Sequence, residues 1–362
     1  MKSNEKNNLN IKFWKNKNIL ITGHTGFKGS WLTYWLLKLG AKVNGISLSP
    51  VGIPNLFNEL NLRNEIYHNI IDIRDRENLK KKIIEINPEI VFHLAAQPLV
   101  IESYQNPILT WETNVIGTIN VLNALRNLDS KCAALCITTD KVYLNREWIF
   151  GYRENDALGG YDPYSSSKAA AEIAINSWRS SFCGIGKNKV EHLKIASARA
   201  GNVIGGGDWS ENRLVPDIVK GLLKGQEIRI RNSLATRPWQ HVLEPLKGYL
   251  ILVQELYSDR DDVCSSFNFG PQSESNKTVK ELVNEALSYW EGKWVDCTDK
   301  DSFHEANLLN LSIDKAHKLL DWDPKWRFKE TVEKTINWYK NYYEGKISAI
   351  ECCDYDIQSF MN

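Results

Sequence analysis

Tyr164-Ser165-Ser166-Ser167-Lys168 sets a phenol and an ammonium four residues apart, so on a helix both project from one face. A cation beside a phenol favours the phenolate, which can take a proton from an alcohol while hydride leaves the same carbon. Upstream, Thr139-Asp140-Lys141 puts a hydroxyl, a carboxyl and an amine in consecutive positions. An elimination needs such an acid and base to deliver one proton and remove another. Alone, the first pattern usually marks a surface pair and the second a solvated ion pair. Their chemical meaning comes from a third motif, a phosphate-binding turn.

Thr22-Gly23-His24-Thr25-Gly26-Phe27-Lys28-Gly29 spaces its glycines as G-x-x-G-x-x-G, after the β-branched run from Asn18 and ahead of an apolar stretch from Phe27 to Leu39 closed by Gly40. Strand, glycine turn and helix let a pyrophosphate approach the backbone and rest on the helix N-terminus. A Walker A loop is excluded, because Lys28 precedes Gly29 and Ser30 where Gly-Lys-Ser would be required. The ribose-reading acid expected about 20 residues on is missing, since the chain there reads Ile46-Ser47-Leu48-Ser49-Pro50. The fingerprint therefore leaves NAD and NADP open, and the lack of an Arg at that strand end favours NAD. Asp72-Ile73 reads either as an adenine contact or as a turn residue followed by a core residue.

These residues need a scaffold. Lys42 to Ser47, Ile90 to Leu94 and Ala133 to Thr138 read as further strands, each reached through a helix-like stretch. The βαβα alternation predicts an α/β fold, a Rossmann-type doubly wound parallel sheet over 14–203 with returning segments near 237–266. A smaller mixed substrate domain is expected from 204–236 and 267–345, with helices from Leu214 to Leu223, Pro245 to Tyr257 and Thr278 to Trp290. Residues 1–13 and 346–362 are expected as tails. Between Pro107 and Leu128, Trp111, Val115, Thr118, Leu122 and Leu125 form a helical stripe that either packs on the sheet or makes a dimer seam.

The 362 residues carry 43% hydrophobic and 25% charged side chains, as soluble globular chains do. Lys+Arg at 45 against Asp+Glu at 44 gives no electrostatic reason to expect nucleic acid or an anionic membrane. Lys80-Lys81-Lys82 reads as a solvated helix face. Seven scattered cysteines suit a reducing compartment, and the Asn/Lys-rich start lacks an apolar signal core, so a cytoplasmic location is expected. The thirteen Trp read as core and surface anchors. No His-Glu-x-x-His or Cys-x-x-Cys occurs, and His24, His93 and His304 read as turn, core and surface residues, so no metal is expected.

Through Thr22 to Gly29, His93-Leu94-Ala95-Ala96-Gln97, Asn114, Thr139 and Tyr164-x-x-x-Lys168, the chain resembles the extended short-chain dehydrogenase/reductase family over nearly its whole length. A closer likeness to the nucleotide-sugar 4,6-dehydratases of that family rests on Gly26 to Trp31, Ala96 to Val100, Thr139 to Lys141, Gly160 to Tyr164, Ala200 to Trp209 and Arg237 to Val242.

The resemblance implies that Gly23, Thr25, Gly26, Phe27, Lys28 and Gly29 hold NAD together with Asp72, Ile73, Leu94, Ala95, Ala96, Asn114, Thr138, Tyr164 and Lys168. It makes Tyr164 the base at the sugar C4 hydroxyl, with Lys168 lowering its pKa and Thr139 hydrogen-bonding the same hydroxyl. After C4 oxidation, Asp140 protonates the departing C6 hydroxyl, Lys141 removes the C5 proton, and the hydride returns to C6. Related dTDP-glucose dehydratases carry Glu at the position of Lys141. Gln97, Asn202, Arg213, Leu214, Val215, Arg237 and Asn268 are the implied contacts of the nucleotide sugar. CDP-glucose as substrate, a homodimer or dimer of dimers, and a role in deoxysugar synthesis for a surface polysaccharide rest on the resemblance alone. A dTDP- or GDP-sugar dehydratase is an alternative. A 4-epimerase would share Tyr164, Lys168 and the turn but have no use for Asp140-Lys141.

Overall fold

The computed structural model describes residues 9–183, 190–297 and 308–362. The apolar runs form seven strands: β1 Asn18–Thr22, β2 Lys42–Ser47, β3 Tyr67–Ile70, β4 Ile90–His93, β5 Cys132–Ile137, β6 Leu193–Arg199 and β7 Ser266–Asn268. They lie in the order β7-β6-β5-β4-β1-β2-β3, every pair parallel. Helices cover both faces, which is why the central strands read as unbroken apolar runs. Ile19 and Ile21 of β1 enter one core and Leu20 the other; Leu135 and Cys136 of β5 divide likewise. The strand order reverses between β1 and β4, where Thr22 stands beside His93. Sheets of this kind bind ligands beyond the strand ends at that reversal.

The second half supplies the helices Leu214–Leu223, Leu243–Tyr257 and Val279–Tyr289 and three short strand pairs. The boundary expected between 266 and 267 does not hold, because β7 pairs with β6 through Asn268 and makes that residue part of the sheet.

The C-terminal stretch also differs from the expected tail. Ser348 and Glu351 form a capping box that starts the helix Ala349–Met361, and Cys352, Cys353, Asp356, Ile357 and Phe360 are buried on it. Phe360 meets the edges of Trp35 and Trp326 at 6.0 and 5.0 Å. At the other end a short helix, Ile11–Trp14, begins ahead of the expected onset of order, and Leu9 is already buried. The rest of the expected N-terminal tail, residues 1–8, and His304 lie outside the described residues. Trp14, Trp31, Trp35 and Trp322 are among the largest fully buried side chains.

The amphipathic stripe divides. Pro107–Trp111 is α-helical, Glu112–Ile116 is a π turn, and Gly117–Leu125 resumes the α-helix. Leu122 and Leu125 pack into the core under the sheet, whereas Ile108, Trp111 and Ile116 are exposed. Among the described residues no helix is long and apolar enough to cross a membrane.

Candidate active site

The glycine turn closes tightly over the switch point. Gly23 has φ +78°, and a β-carbon there would lie 2.6 Å from the Ala95 nitrogen, so the turn and the segment after β4 touch backbone to backbone. Gly26 is exposed and caps the helix Phe27–Lys38 with no side chain satisfying the first N–H groups. That leaves donors for an anion, and the turn fits a pyrophosphate. Gly29 is buried in the first helical turn. Thr25 ties the turn to the end of β2 through the Ser47 hydroxyl at 2.7 Å and the Leu48 carbonyl at 3.1 Å. His24 is buried against His68 and Phe57, and His93 sits between the Thr22 and Thr118 hydroxyls.

Asp162 caps the helix Pro163–Phe182 by accepting from the Ser165 amide at 2.9 Å, with Pro163 in the first turn. This helix delivers Tyr164 and Lys168, both buried, under the end of β5. Burial pushes the Tyr164 phenol up to about 12; its hydrogen bond with Thr139 and the Arg213 cation work the other way, and Asp140 adds to the rise. Loss of hydration around a phenolate outweighs the nearby cations. Lys168 donates to the Ile137 carbonyl at 3.3 Å, and burial brings it down to about 8 against Cys136 and Glu172.

Beyond β5 the chain turns through Asp140–Val142. Asp140 is 1% exposed, and its two oxygens are separately engaged. Thr139 Oγ1 donates to Oδ1 at 2.9 Å, and Asn202 Nδ2 donates to Oδ2 at 3.0 Å. The carboxylate lies flat on Gly201, where any β-carbon would overlap it. A solvated Asp140–Lys141 ion pair is thus absent; Lys141 is half-buried, and its ammonium has no hydrogen-bond or ion-pair partner among the described residues. Arg213 donates to Asp208 at 2.8 Å. Lys28 is brought down to about 8 by burial, reinforced by Arg213 and Lys168 and opposed by Asp140. Lys28, Arg213 and Lys168 thus surround the Tyr164–Asp140 pair with positive charge suited to a nucleotide diphosphate.

Other expected site residues frame this pocket. Asn114, in the π turn, accepts from the Gln97 amide at 2.8 Å and donates to Ser167 Oγ at 2.9 Å, so it pins the half-buried Leu94-Ala95-Ala96-Gln97 segment to the Tyr164 helix. The Gln97 side chain bonds Leu99 and Thr110. Thr138 donates to Glu172 at 2.6 Å. Leu214 and Val215 open the helix Leu214–Leu223, and Arg237 Nη1 reaches the Thr236 carbonyl at 3.0 Å. Asp72 is half-buried and held by Arg74, while Ile73 is buried against Gly117.

Asn268 does not join the pocket as a ligand donor. It accepts from the Tyr143 hydroxyl at 2.6 Å and donates to the Tyr152 and Ser312 carbonyls, so its side chain is used by the fold. Two residues of structural weight were not singled out in the sequence. Gly201 lies within the Ala200–Trp209 stretch and has no side chain to announce a role. Glu172 accepts from Thr138, Ser197 and Arg199 behind the site. Its signal was present, since it stands four residues beyond Lys168 and extends the same helix face.

The family model described as GDP-mannose 4,6 dehydratase matches residues 20–335. A CDP-glucose 4,6-dehydratase of Salmonella typhimurium is 44% identical over 356 residues, covering 98% of this chain and 99% of that protein. Among solved structures, a dTDP-glucose 4,6-dehydratase of Bacillus anthracis in complex with NAD superposes with a TM-score of 0.73 at 22% identity, covering 91% of this chain and 98% of the other. A Thermus thermophilus UDP-glucose 4-epimerase complex with NAD gives 0.73 at 23%, over 89% and 98%. At these identities the structural likeness speaks for the fold.

Proposed function

The chain belongs to the GDP-mannose 4,6-dehydratase family of the extended short-chain dehydrogenases/reductases, and from that premise we propose that it is an NAD-dependent lyase converting CDP-glucose to CDP-4-keto-6-deoxyglucose and water. The observation that carries the reading is the buried Asp140 carboxylate, held by Thr139 and Asn202 beside Tyr164. An acid at that position serves an elimination and is of no use to a 4-epimerase.

When bound, NAD supplies a reversible hydride acceptor, so that no net redox change accompanies the dehydration. Gly23 to Gly29 and the bare N-terminus of Phe27–Lys38 would hold its pyrophosphate, and Lys168 its nicotinamide ribose. Tyr164 and Thr139 bind the sugar C4 hydroxyl and handle its proton. Asp140 protonates the departing C6 hydroxyl, and Lys141 removes and later returns the C5 proton. Lys28, Arg213 and Arg237 face the diphosphate, with Gln97, Leu214 and Val215 shaping the pocket. Exposed Ile108, Trp111, Ile116 and Ile173 on two neighbouring helices support a homodimer seam. A cytoplasmic place in deoxysugar synthesis for lipopolysaccharide is consistent with this chemistry.

The test is to incubate the protein and NAD+ separately with CDP-, dTDP-, UDP- and GDP-glucose and follow product mass. Loss of one water from CDP-glucose, without net NADH, is the expected result. Water loss from another nucleotide sugar would reassign the base, and an unchanged mass with a C4 epimer as product would overturn the dehydratase reading.

A further inference from the structure

We propose that the buried Gln240 is the positioning residue for the acid: by gripping the Gly201-Asn202 peptide it holds the Asp140 carboxylate in place for the departing C6 hydroxyl. The proposal rests on the dehydratase reading, in which Asp140 is that acid, and gives a task to a residue of the Arg237–Val242 stretch that the chemistry had left unused.

Asp140 depends on a single dipeptide for two of its contacts. Gly201 lets the carboxylate lie flat on its α-carbon, and Asn202 Nδ2 donates to Oδ2 at 3.0 Å. Both contacts follow from where that dipeptide sits, and Gln240 fixes it at both carbonyls. The Gln240 side-chain Nε2 donates to the Gly201 carbonyl at 3.0 Å, and the Gln240 backbone N–H donates to the Asn202 carbonyl at 3.3 Å. Asn202 stands at φ +51°, in the left-handed region that side chains adopt at a cost. The two bonds hold the backbone in the turn that aims the Asn202 amide at Asp140.

Gln240 is itself anchored. It is 1% exposed and lies in the short strand Gln240–His241, parallel to Val203–Ile204. The second hydrogen of its Nε2 goes to the Phe269 carbonyl at 3.0 Å, just past β7. Phe269 donates its own N–H to the Arg199 carbonyl at the end of β6 at 2.8 Å and buries its ring against Tyr249 and Trp322. The neighbouring His241 meets the rings of Trp31 and Trp326 at 6.1 and 4.8 Å. One amide group thus ties the peptide that carries the Asp140 contacts to the ends of two sheet strands. Its orientation is set, because Oε1 has no hydrogen-bond partner among the described residues and turning the amide over would bring that oxygen against two carbonyl oxygens. Gln240 is used for its pair of donors, which neither a carboxyl nor a thioether of similar length supplies.

A general acid works only within hydrogen-bond reach of the leaving oxygen, and a displacement of about 1 Å costs on the order of 100-fold. Oxidation at C4 uses Tyr164, Thr139 and the nicotinamide and needs no proton from Asp140. Loss of the Gln240 grip therefore falls on elimination and spares oxidation, whereas loss of a merely structural residue weakens both.

The experiment measures the two half-reactions in Gln240→Met with NAD+ added. On CDP-6-deoxyglucose, which has no C6 leaving group and stops after C4 oxidation, nicotinamide reduction is expected near the wild-type rate. On CDP-glucose, water loss falls about 100-fold, and NADH builds up in a single turnover because the ketone waits for elimination. CDP-6-deoxy-6-fluoroglucose, whose fluoride leaves with little need of a proton, regains most of the rate. In the Asp140→Asn background Gln240→Met adds no further loss, since the acid it positions is gone. An equal loss of oxidation and elimination, a fluoride substrate as impaired as CDP-glucose, or a further loss on top of Asp140→Asn overturns the proposal. Should the Met variant not fold, Gln240→Glu keeps the shape without the donor pair, and the same split is expected of it. A wild-type protein that removes water from no nucleotide sugar overturns the dehydratase reading itself, whereas wild-type dehydration matched by Gln240→Met overturns the positioning alone.

Discussion

Gly201 and Asp140 are separated in sequence by the helix Pro163–Phe182 and strand β6, yet the Asp140 carboxylate lies against the Gly201 α-carbon so closely that no β-carbon fits between them. The glycine is there for the acid. Its neighbour Asn202, at φ +51°, then turns its amide onto Asp140 Oδ2.

Gly201→Ala should therefore displace the carboxylate and break its bonds to Thr139 and Asn202. Dehydration of CDP-glucose is expected to fall by about 100-fold, while binding of the nucleotide sugar, followed by calorimetry, stays near wild type. Full dehydratase activity in this variant would mean that Asp140 does not need its observed position.

Lys141 stands beside the acid with its ammonium unpartnered among the described residues. If it is the C5 base, Lys141→Met should abolish wash-in of solvent deuterium at C5 while NADH still forms in a single turnover. Retained exchange would move the role to another group.

Behind the site, Glu172 and Arg199 form a salt bridge at 2.8 Å with both side chains almost wholly buried. Burial works to raise the Glu172 carboxyl, but Arg199 and the Thr138 and Ser197 hydroxyls hold it below its ordinary value. Glu172→Gln leaves the Arg199 charge unpaired, and should cost about 3–5 kcal/mol in urea unfolding. A change within a few tenths of that of a surface substitution would show that the network is dispensable.

Asp356 gives the pH prediction. Burial pushes it up to about 8, with Lys334 opposing; its Oδ2 lies 3.9 Å from the buried His241 Nε2 and has no hydrogen-bond partner among the described residues. In the unfolded chain its carboxyl ionises near pH ~4. From there up to pH about 8 the folded protein keeps a proton that the unfolded chain has already released, so stability falls as pH rises through that window and levels off above it. Asp356→Asn should flatten the decline and raise the unfolding free energy at pH 8 by about 1–3 kcal/mol. An unaltered pH profile by thermal unfolding would assign the slope elsewhere.

Much of this molecule is written in short stretches of its sequence. The strand, glycine turn and helix from Asn18 to Lys38, the Tyr164–Lys168 face and the helix Leu214–Leu223 each depend on neighbours within a few turns, where apolar spacing, caps and glycines act directly. Even the missed helix Ala349–Met361 had its start written in Ser348-x-x-Glu351, although its partners Trp35 and Trp326 did not lie nearby in sequence.

Tertiary structure alone decided the rest. Asn202 reaches Asp140 across 62 residues and Glu172 reaches Arg199 across 27, contacts set by which strands pair and how closely two backbones approach. It also decided that Asn268 belongs to the sheet, and that burial pushes the Tyr164 phenol up. A side chain's type and spacing announce the chemistry it is able to do; its proton affinity and its partners depend on the water removed and the groups brought near when distant segments pack.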